Sequence, residues 1–230
     1  MCGRYSLAVQ DPFDVRARFP IGESVEVRRR FNVAPGDEVL AVTTDKQGEP
    51  CGELLRWGLV PSWAKQPDTG LKMINARVET VAERPAFRRA FDRWRCLIVA
   101  DGFYEWRRTG GPKRPYHITE TGGDLFAFAG LWSVWHAPDG GTLRTCTILT
   151  TAANDAVAQL HDRMPVILAP EHESAWLDAS TPRVELEAAL AGLPAERTAL
   201  TEVSTAVNDA RYDGPECLAP PGTDPQDALF

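Results

Sequence analysis

A cysteine at position 2 can do chemistry that an internal cysteine cannot. The chain opens with Met1, Cys2 and Gly3, and an initiator methionine is normally removed when the second residue is small. Removal leaves Cys2 with a free α-amine (pKa about 7.7–8.0) beside its thiol (pKa about 8.5), so both are partly nucleophilic near neutral pH. Such a 1,2-aminothiol converts an aldehyde first to a Schiff base and then to a thiazolidine. Alternatively, its thiolate attacks an acyl group, as in N-terminal-nucleophile hydrolases.

Three further residues are candidates to assist Cys2. Asn75 begins the segment NARVE, Glu105 stands among aromatic residues in DGFYEW, and His161 lies in LHDRMP between apolar and charged residues. A carboxyl group desolvated by aromatic rings has a raised pKa and suits general-acid work. Each residue alone also fits a structural role, because Glu105 could pair with an arginine and His161 could be a hydrogen-bonded core residue.

Metal, nucleotide and disulfide chemistry have no support in the sequence. The five cysteines, at positions 2, 51, 96, 146 and 217, form no CxxC pair, and their number is odd. The four histidines show no HExxH spacing, and there is no Walker loop or GxGxxG motif. We therefore predict no metal and no cofactor. Cys96 and Cys146 lie in apolar, strand-like runs and are predicted to be small core residues.

The charge of the chain is unevenly distributed. The 230 residues carry a formal net charge of -7, which by itself argues against a polyanionic partner. Residues 77–114, however, hold ten basic and five acidic side chains, whereas residues 171–230 hold three basic and twelve acidic ones. The central block can bind phosphates locally, although a solvated helix face is an equally good interpretation. No apolar run reaches the roughly 20 residues of a membrane helix, and the N-terminus does not resemble a signal peptide, so we expect a cytoplasmic protein.

The elements that must position these residues are short and mixed in type. Apolar spacing and capping residues predict helices at 11–19, 85–94, 154–160, 170–177 and 183–191. Strands are predicted at 38–44, 53–60, 95–100, 102–106, 116–119, 125–129 and 142–149, several of them separated by glycine-rich turns. The pattern indicates an α+β fold, a single domain on a mainly antiparallel β-sheet or barrel core with flanking helices.

Nine short motifs, in this order, resemble the SOS-response-associated peptidase (SRAP) family, whose members crosslink to abasic sites in DNA. The motifs are CGRYS (2–6), FNVAP (31–35), RWGLVP (56–61), NARVET (75–80), GFYEW (102–106), FAGLW (128–132), TTAAN (150–154), HDRMP (161–165) and VSTAVN (203–208). They span residues 2 to about 217, which is nearly the whole chain.

The resemblance implies a covalent mechanism. Mature Cys2 would form a thiazolidine with the ring-opened sugar aldehyde of an abasic site in single-stranded DNA, protecting the lesion during the DNA damage and SOS responses. Asn75 would hold the Cys2 amine and the sugar. Glu105 would act as acid and base for ring opening and Schiff-base formation, and His161 would assist proton transfer. The family name also implies self-removal of Met1, a peptidase (hydrolase) step that would use Cys2 and Glu105.

The same resemblance implies a set of DNA contacts. Arginines would bind the phosphates that flank the lesion, an indole would stack near the junction, and two threonines complete the set: Arg4, Arg77, Arg163, Trp106, Thr150 and Thr151. An abasic site has no base edge to read, so its recognition rests on phosphate contacts, a pocket and the reactivity of the aldehyde.

Three other classes of protein remain open. A glutamine amidotransferase also matures to an N-terminal Cys-Gly, but an apolar strand follows directly there, whereas Arg4, Tyr5 and Ser6 intervene here. A cysteine peptidase could use Cys2, His161 and Asn75, although it would have no need of the arginine block. A plain single-strand-binding module would lack the covalent step.

The C-terminal residues form a separate segment. We assign residues 2–218 to the catalytic and DNA-binding domain and 219–230 to a flexible tail rich in proline and glycine. The tail ends in Gln226-Asp227-Ala228-Leu229-Phe230, which resembles the peptides by which bacterial DNA-processing proteins bind the sliding clamp. Gln226 would anchor one end of the peptide, while Leu229 and Phe230 would enter an apolar pocket.

Overall fold

Two β-sheets that pack against each other form the centre of the molecule. The structure, a computed structural model, describes residues 2–9, 11–107 and 113–222. Its strands are β1 (Tyr5–Leu7), β2 (Arg30–Val33), β3 (Glu38–Thr44), β4 (Pro50–Trp57), β5 (Asn75–Arg77), β6 (Arg95–Ala100), β7 (Gly102–Arg107), β8 (Arg114–Glu120), β9 (Phe126–His136), β10 (Thr142–Ala152), β11 (Arg163–Pro165), β12 (Ile167–Leu168) and β13 (Thr198–Glu202). The α-helices of these described residues are α1 (Pro12–Arg18), α2 (Arg88–Arg93), α3 (Pro170–Leu177) and α4 (Arg183–Ala189).

Five strands of the larger sheet close into a barrel. β3 pairs with β4 and β6, β6 pairs with β9, and β9 pairs with β10. A parallel pairing between β10 and β4 completes the circle. Side chains that face inward alternate along each strand and fill the interior. Leu55, Trp57, Ile98, Phe128 and Cys146 are fully buried there.

The smaller sheet is antiparallel, with the strand order β13-β8-β7-β1-β2. Aromatic contacts fasten it to the barrel. The ring of Tyr5 lies 5.4 Å from that of Trp57 and 5.6 Å from that of Phe128, and the ring of Phe103 lies 6.3 Å from that of Phe128. Because β1 lies between β2 and β7, the residues just before it are held where the two sheets meet.

Helices α2 and α3 are fastened to the outside of the barrel by hydrogen bonds to main-chain carbonyls. The buried indole of Trp176 donates to the carbonyl oxygens of Cys96 (3.1 Å) and Gly130 (3.3 Å). The buried guanidinium of Arg95 donates to four carbonyl oxygens, including those of Phe91 and Trp176. Arg95 therefore uses its charge to join β6, α2 and α3, and it is not available to a ligand.

The predicted α+β fold with a mainly antiparallel barrel core is confirmed. The helices predicted at 11–19, 170–177 and 183–191 are confirmed, and the Asp11 side chain caps α1 by accepting the N–H of Phe13 at 2.8 Å. The helix predicted at 154–160 is wrong, since this segment holds only the 3-10 helix Val157–Gln159. The Asn154 side chain caps the start of this turn by accepting the N–H of Val157, and its amide donates to the carbonyl of Leu193.

Other boundaries shift. The helix predicted at 85–94 begins only at Arg88, and the strands predicted at 125–129 and 142–149 extend to His136 and Ala152. Cys96 and Cys146 are confirmed as buried core residues. In the described ranges, no helix is long and apolar enough to cross a membrane. Met1 and the proposed clamp-binding residues Gln226, Leu229 and Phe230 lie outside the described residues.

Candidate active site

Cys2 is completely buried between the barrel and the smaller sheet. It packs in the cluster that includes Tyr5, Trp57, Ile148 and Met164. Its thiol lies 3.8 Å from the carbonyl oxygen of Arg4. Burial raises the pKa of the Cys2 thiol strongly, and the negative charge of Glu105 raises it further. The thiol is therefore protonated in this arrangement, and a nearby group must accept its proton before the sulfur can act as a nucleophile.

Asn75 holds the backbone of Cys2. Its Nδ2 donates to the carbonyl oxygen of Cys2 at 2.7 Å. Strand β5 places it there through a parallel pairing with β10, in which Asn75 lies opposite Ile148. The indole of Trp57 fixes the preceding residue by donating to the carbonyl oxygen of Ile74 at 2.8 Å. The Oδ1 atom of Asn75 is buried and has no hydrogen-bond partner in the described part of the chain, so it can accept a bond from a bound hydroxyl or amine.

Glu105 is a buried carboxylate on β7, with only 6% of its surface exposed. It lies opposite Tyr116 of β8, its strand β7 pairs with β1 just after Cys2, and its charge raises the pKa of the Cys2 thiol. Glu105 also lines a pocket together with His161. A carboxylate beside a thiol and an imidazole has partners with which it can exchange a proton.

His161 follows the 3-10 helix Val157–Gln159 and is about one-third exposed. Its Nδ1 lies 2.9 Å from the backbone nitrogen of Arg163 and 2.9 Å from Oδ1 of Asp162. The two contacts need different tautomers of a neutral ring, because Nδ1 accepts the N–H of Arg163 only without a proton and donates to Asp162 only with one. The partners of Nδ1 therefore accommodate a proton on either ring nitrogen, which suits a group that moves protons.

An open pocket of about 600 Å³ brings four of the predicted residues together. Its lining consists of Arg4, Glu105, Trp106, Lys113, His161, Thr205 and Asn208. The indole of Trp106 is oriented by Asn208, whose Oδ1 accepts its N–H at 2.7 Å. Lys113, Thr205 and Asn208 were not among the predicted site residues. Thr205 and Asn208 lie in the motif VSTAVN, and Lys113 lies in the basic block. The motif and the charge pattern could therefore have pointed to these three residues.

Arg4 is held by the protein on one side and faces the pocket on the other. Its Nη1 donates to Oδ1 of Asn32 at 2.7 Å and to the carbonyl oxygen of Val207 at 2.8 Å. Its guanidinium carbon lies 5.9 Å from the ring centre of Trp106. Burial lowers the pKa of Arg4, but an arginine remains charged in proteins. The pocket therefore has one fixed cation next to an indole.

The remaining predicted DNA contacts lie on β5, β10 and β11. Arg163 forms a bidentate ion pair with Glu79 (2.5 and 2.9 Å) and donates to the carbonyl oxygen of Thr150 at 2.5 Å. This guanidinium lowers the pKa of Glu79. Thr150 is fully buried, Thr151 is partly exposed, and Arg77, opposite Thr150 in the sheet, is exposed. Arg163 would have to exchange Glu79 for a phosphate in order to bind DNA.

The basic block of residues 77–114 does not gather at this pocket, contrary to expectation. Lys113 lines the pocket, but Arg95 is buried among main-chain carbonyls and Arg93 lines a different pocket, at the other end of the barrel. Arg108 lies outside the described residues. Helix and strand directions separate residues that are close in sequence, so a count of charges along the chain does not locate a channel. In the described ranges, no group of three or more potential metal ligands is present.

Comparison with known proteins gives concordant results. The family model for "SOS response associated peptidase (SRAP)" matches residues 1–210. The chain is 43% identical over 225 residues to "Abasic site processing protein YoaM" of Bacillus subtilis (strain 168), covering 95% of this chain and 97% of that protein. It is 39% identical over 191 residues to "Abasic site processing protein HMCES" of Gallus gallus, covering 72% of this chain and 56% of that protein.

A solved structure supports the fold. A crystal structure of a protein from Bacteroides thetaiotaomicron matches with a TM-score of 0.85 at 24% identity, and the match covers 95% of this chain and 99% of that chain. The arrangement of two packed sheets is therefore shared with a chain of low sequence identity.

Proposed function

Because the chain belongs to the SOS response associated peptidase (SRAP) family, we propose that it recognises abasic sites in single-stranded DNA and binds them covalently through Cys2. The α-amine of mature Cys2 attacks the aldehyde of the ring-opened sugar and releases one water as the Schiff base forms. The thiol then adds to the imine carbon, its proton passes to the nitrogen, and a thiazolidine results. The crosslink protects the lesion during the response to DNA damage.

The observation that carries this proposal is the position of Cys2. Its carbonyl is held by Asn75, the strand that follows it pairs with the strand of Glu105, and Glu105 lines one pocket with His161. Glu105 is the acid and base for ring opening and Schiff-base formation, and His161 assists proton transfer and release of the adduct. Asn75 fixes the backbone of Cys2, and its unpartnered Oδ1 accepts a hydrogen bond from the sugar or the amine.

The DNA strand binds by its phosphates and by stacking. Arg4 and Arg77 are cations next to or near the site, and Arg163 joins them when it leaves Glu79. Trp106 supplies a stacking surface whose orientation Asn208 fixes, which suits a strand interrupted by a missing base. Thr150 and Thr151 belong to β10, which pairs with the β-strands of Arg77 and Arg163. We place the protein in the cytoplasm, at the nucleoid when bound to DNA.

Removal of Met1 must precede crosslinking, since the amine of Cys2 is otherwise an amide. We propose that the chain hydrolyses this peptide bond itself, with one water consumed and methionine released, and that Cys2 and Glu105 take part. The mass of the purified protein tests this step. Glu105→Gln should retain Met1 when produced without methionine aminopeptidase, whereas the wild-type chain should lack it.

The crosslink is tested with an abasic single-stranded oligonucleotide. The expected product has the mass of the DNA plus the protein lacking Met1, less one water. Cys2→Ala should form no denaturation-resistant adduct and should still bind the strand non-covalently. Cys146→Ala is the matched control, since Cys146 is also fully buried in this core, and it should crosslink normally. An adduct that persists in Cys2→Ala would disprove the mechanism.

The sliding clamp is a second proposed partner, through Gln226, Leu229 and Phe230. A peptide of this kind at the end of a flexible tether can reach a pocket without disturbing the folded domain. Deletion of residues 226–230 should abolish retention by the immobilised clamp and leave crosslinking unchanged. Equal retention of the full chain and the shortened chain would contradict the proposed clamp interaction.

A further inference from the structure

The end of the barrel opposite Cys2 carries an open pocket of about 610 Å³. It lies where β3 ends and β4 and β10 begin, and we call it the far mouth. Its lining includes Lys46, Glu53, Arg93, Trp94, Trp132 and Arg144. From Arg144 to Ile148, the position opposite Asn75, β10 advances by about 13 Å, so the far mouth is separate from the Cys2 site.

Two indoles and two guanidinium groups form a ladder at the far mouth. The guanidinium carbon of Arg89 lies 4.6 Å from the ring centre of Trp94, and the rings of Trp94 and Trp132 are 5.8 Å apart. The guanidinium carbon of Arg144 lies 4.4 Å from the ring centre of Trp132. Both indoles are partly exposed, and Arg89 is exposed. A planar ligand can stack on the guanidinium of Arg89, or it can displace Arg89 and stack directly on the indole of Trp94.

The charges of the far mouth favour an anion. Arg144 is neutralised by Glu53, with contacts of 2.5 and 2.6 Å. Lys46, Arg89 and Arg93, in contrast, have no ion pair with another described residue. The remaining acid of the lining, Asp45, keeps its charge while it accepts N–H groups of its own turn, so the lining together with Arg89 holds four basic and two acidic side chains. The far mouth is thus a cationic patch on a chain whose net charge is -7.

We propose that the far mouth is a second binding site and that its ligand is a segment of single-stranded DNA. Stacking platforms flanked by cations suit single strands, because every base has a π-face and every nucleotide has a phosphate. A base continues the ladder at Arg89 and Trp94, while Lys46 and Arg93 contact phosphates. This goes beyond the proposed function, because it requires neither an aldehyde nor Cys2.

The salt dependence of binding tests the proposal. The probe is an undamaged oligothymidine of about 30 nucleotides, and fluorescence anisotropy measures its affinity at several salt concentrations. Lys46→Ala/Arg93→Ala removes two cationic contacts, so the slope of log K against log salt should fall by about 1.4, which corresponds to about 25-fold weaker binding at 0.1 M salt. The control Arg28→Ala/Arg183→Ala removes the same charge from side chains that are 71% and 64% exposed, and it should keep the wild-type slope.

A photochemical experiment locates the strand. Oligothymidine that carries 5-iododeoxyuridine should, on irradiation, form adducts at Trp94 or Trp132, identified by peptide mass spectrometry, in addition to adducts at Trp106. Adducts confined to Trp106, or equal salt slopes for the two double variants, would overturn the proposal. The abasic crosslink is measured separately. If the wild-type protein forms none but the slopes differ, the proposed function fails and the second site stands.

Discussion

The two ends of the barrel each hold a glutamate, yet the surroundings of the two carboxylates differ. At one end, Glu105 shares a pocket with His161, and its charge raises the pKa of the Cys2 thiol. At the other end, Glu53 accepts bonds from Thr43 (2.5 Å) and Arg144 (2.6 Å). Arginine does not give up its proton in proteins, whereas thiols and imidazoles do. The partner of a carboxylate therefore decides whether it can transfer protons or only hold the fold.

The strongest test exchanges each of these carboxylates for an amide. With Met1 removed from both variants by methionine aminopeptidase, Glu105→Gln should slow adduct formation with an abasic oligonucleotide by about 10²- to 10⁴-fold, since that is the range that a positioned acid or base contributes. Glu53→Gln should leave the rate within twofold of wild type. The measurement is the rate at which the denaturation-resistant band appears. Equal rates for the two variants would contradict the division of roles.

The Cys2 end should also be sensitive to acid, because a partly buried histidine supports β1. The Ser6 hydroxyl donates to Oδ1 of Asp101 at 2.6 Å and lies 2.8 Å from Nε2 of His117, from which it accepts. Burial lowers the pKa of His117 to about 4 and raises the pKa of Asp101. In the unfolded chain the histidine pKa is about 6.5. The unfolded state therefore binds a proton between pH 6.5 and 4 that the folded state does not bind.

This difference predicts that His117 destabilises the fold progressively as the pH falls from about 6.5 to 4. At pH 4.5 its contribution amounts to about 2.5 kcal/mol relative to pH 7.5. Asp101 acts in the opposite sense, because its raised pKa lets the folded state bind a proton first. The comparison is therefore between wild type and His117→Gln, which retains Asp101. Urea unfolding at both pH values should show the smaller loss in the variant, and identical losses would refute the prediction.

A smaller effect is expected for the amide that holds the backbone of Cys2. Asn75→Ala removes the 2.7 Å bond to the carbonyl of Cys2 and should slow adduct formation about 5- to 10-fold, the equivalent of one hydrogen bond of 1–1.4 kcal/mol. Asn154→Ala is the control, since its amide also donates to a main-chain carbonyl, that of Leu193, at 2.9 Å. The control should lower stability without changing the rate.

The smallest effect concerns the ion pair at the far mouth. Because 44% of the Arg144 side chain is exposed, solvent screens its interaction with Glu53. Glu53→Gln should therefore lower the free energy of unfolding by no more than about 1 kcal/mol. Urea unfolding at neutral pH measures it. A decrease of several kcal/mol in the free energy of unfolding would mean that solvent does not screen the pair and that it behaves as a buried ion pair.

The sequence was most informative where residues have special chemistry and least informative where distant strands meet. Cys2, Glu105 and His161 stand in recognisable motifs, and the barrel strands follow from apolar runs. The three-residue strand β5 was not predicted, because its pairing with β10 depends on residues more than 70 positions away. The basic block was misleading for a related reason. Arg93 and Arg95 are two residues apart, yet one faces an open pocket and the other is buried among carbonyls.

The hydrogen bond between Asn75 and Cys2 joins residues 73 positions apart in the chain, and this has a consequence for the timing of reactivity during folding. Long-range strand pairings form late, since the chain must close large loops before they gain any contact energy. A newly made or unfolded chain therefore has Cys2 without the carboxylate of Glu105 and the imidazole of His161, and under the proposed mechanism it still carries Met1. If Cys2 and Glu105 act as proposed, the amine that attacks the aldehyde is produced only after folding is complete.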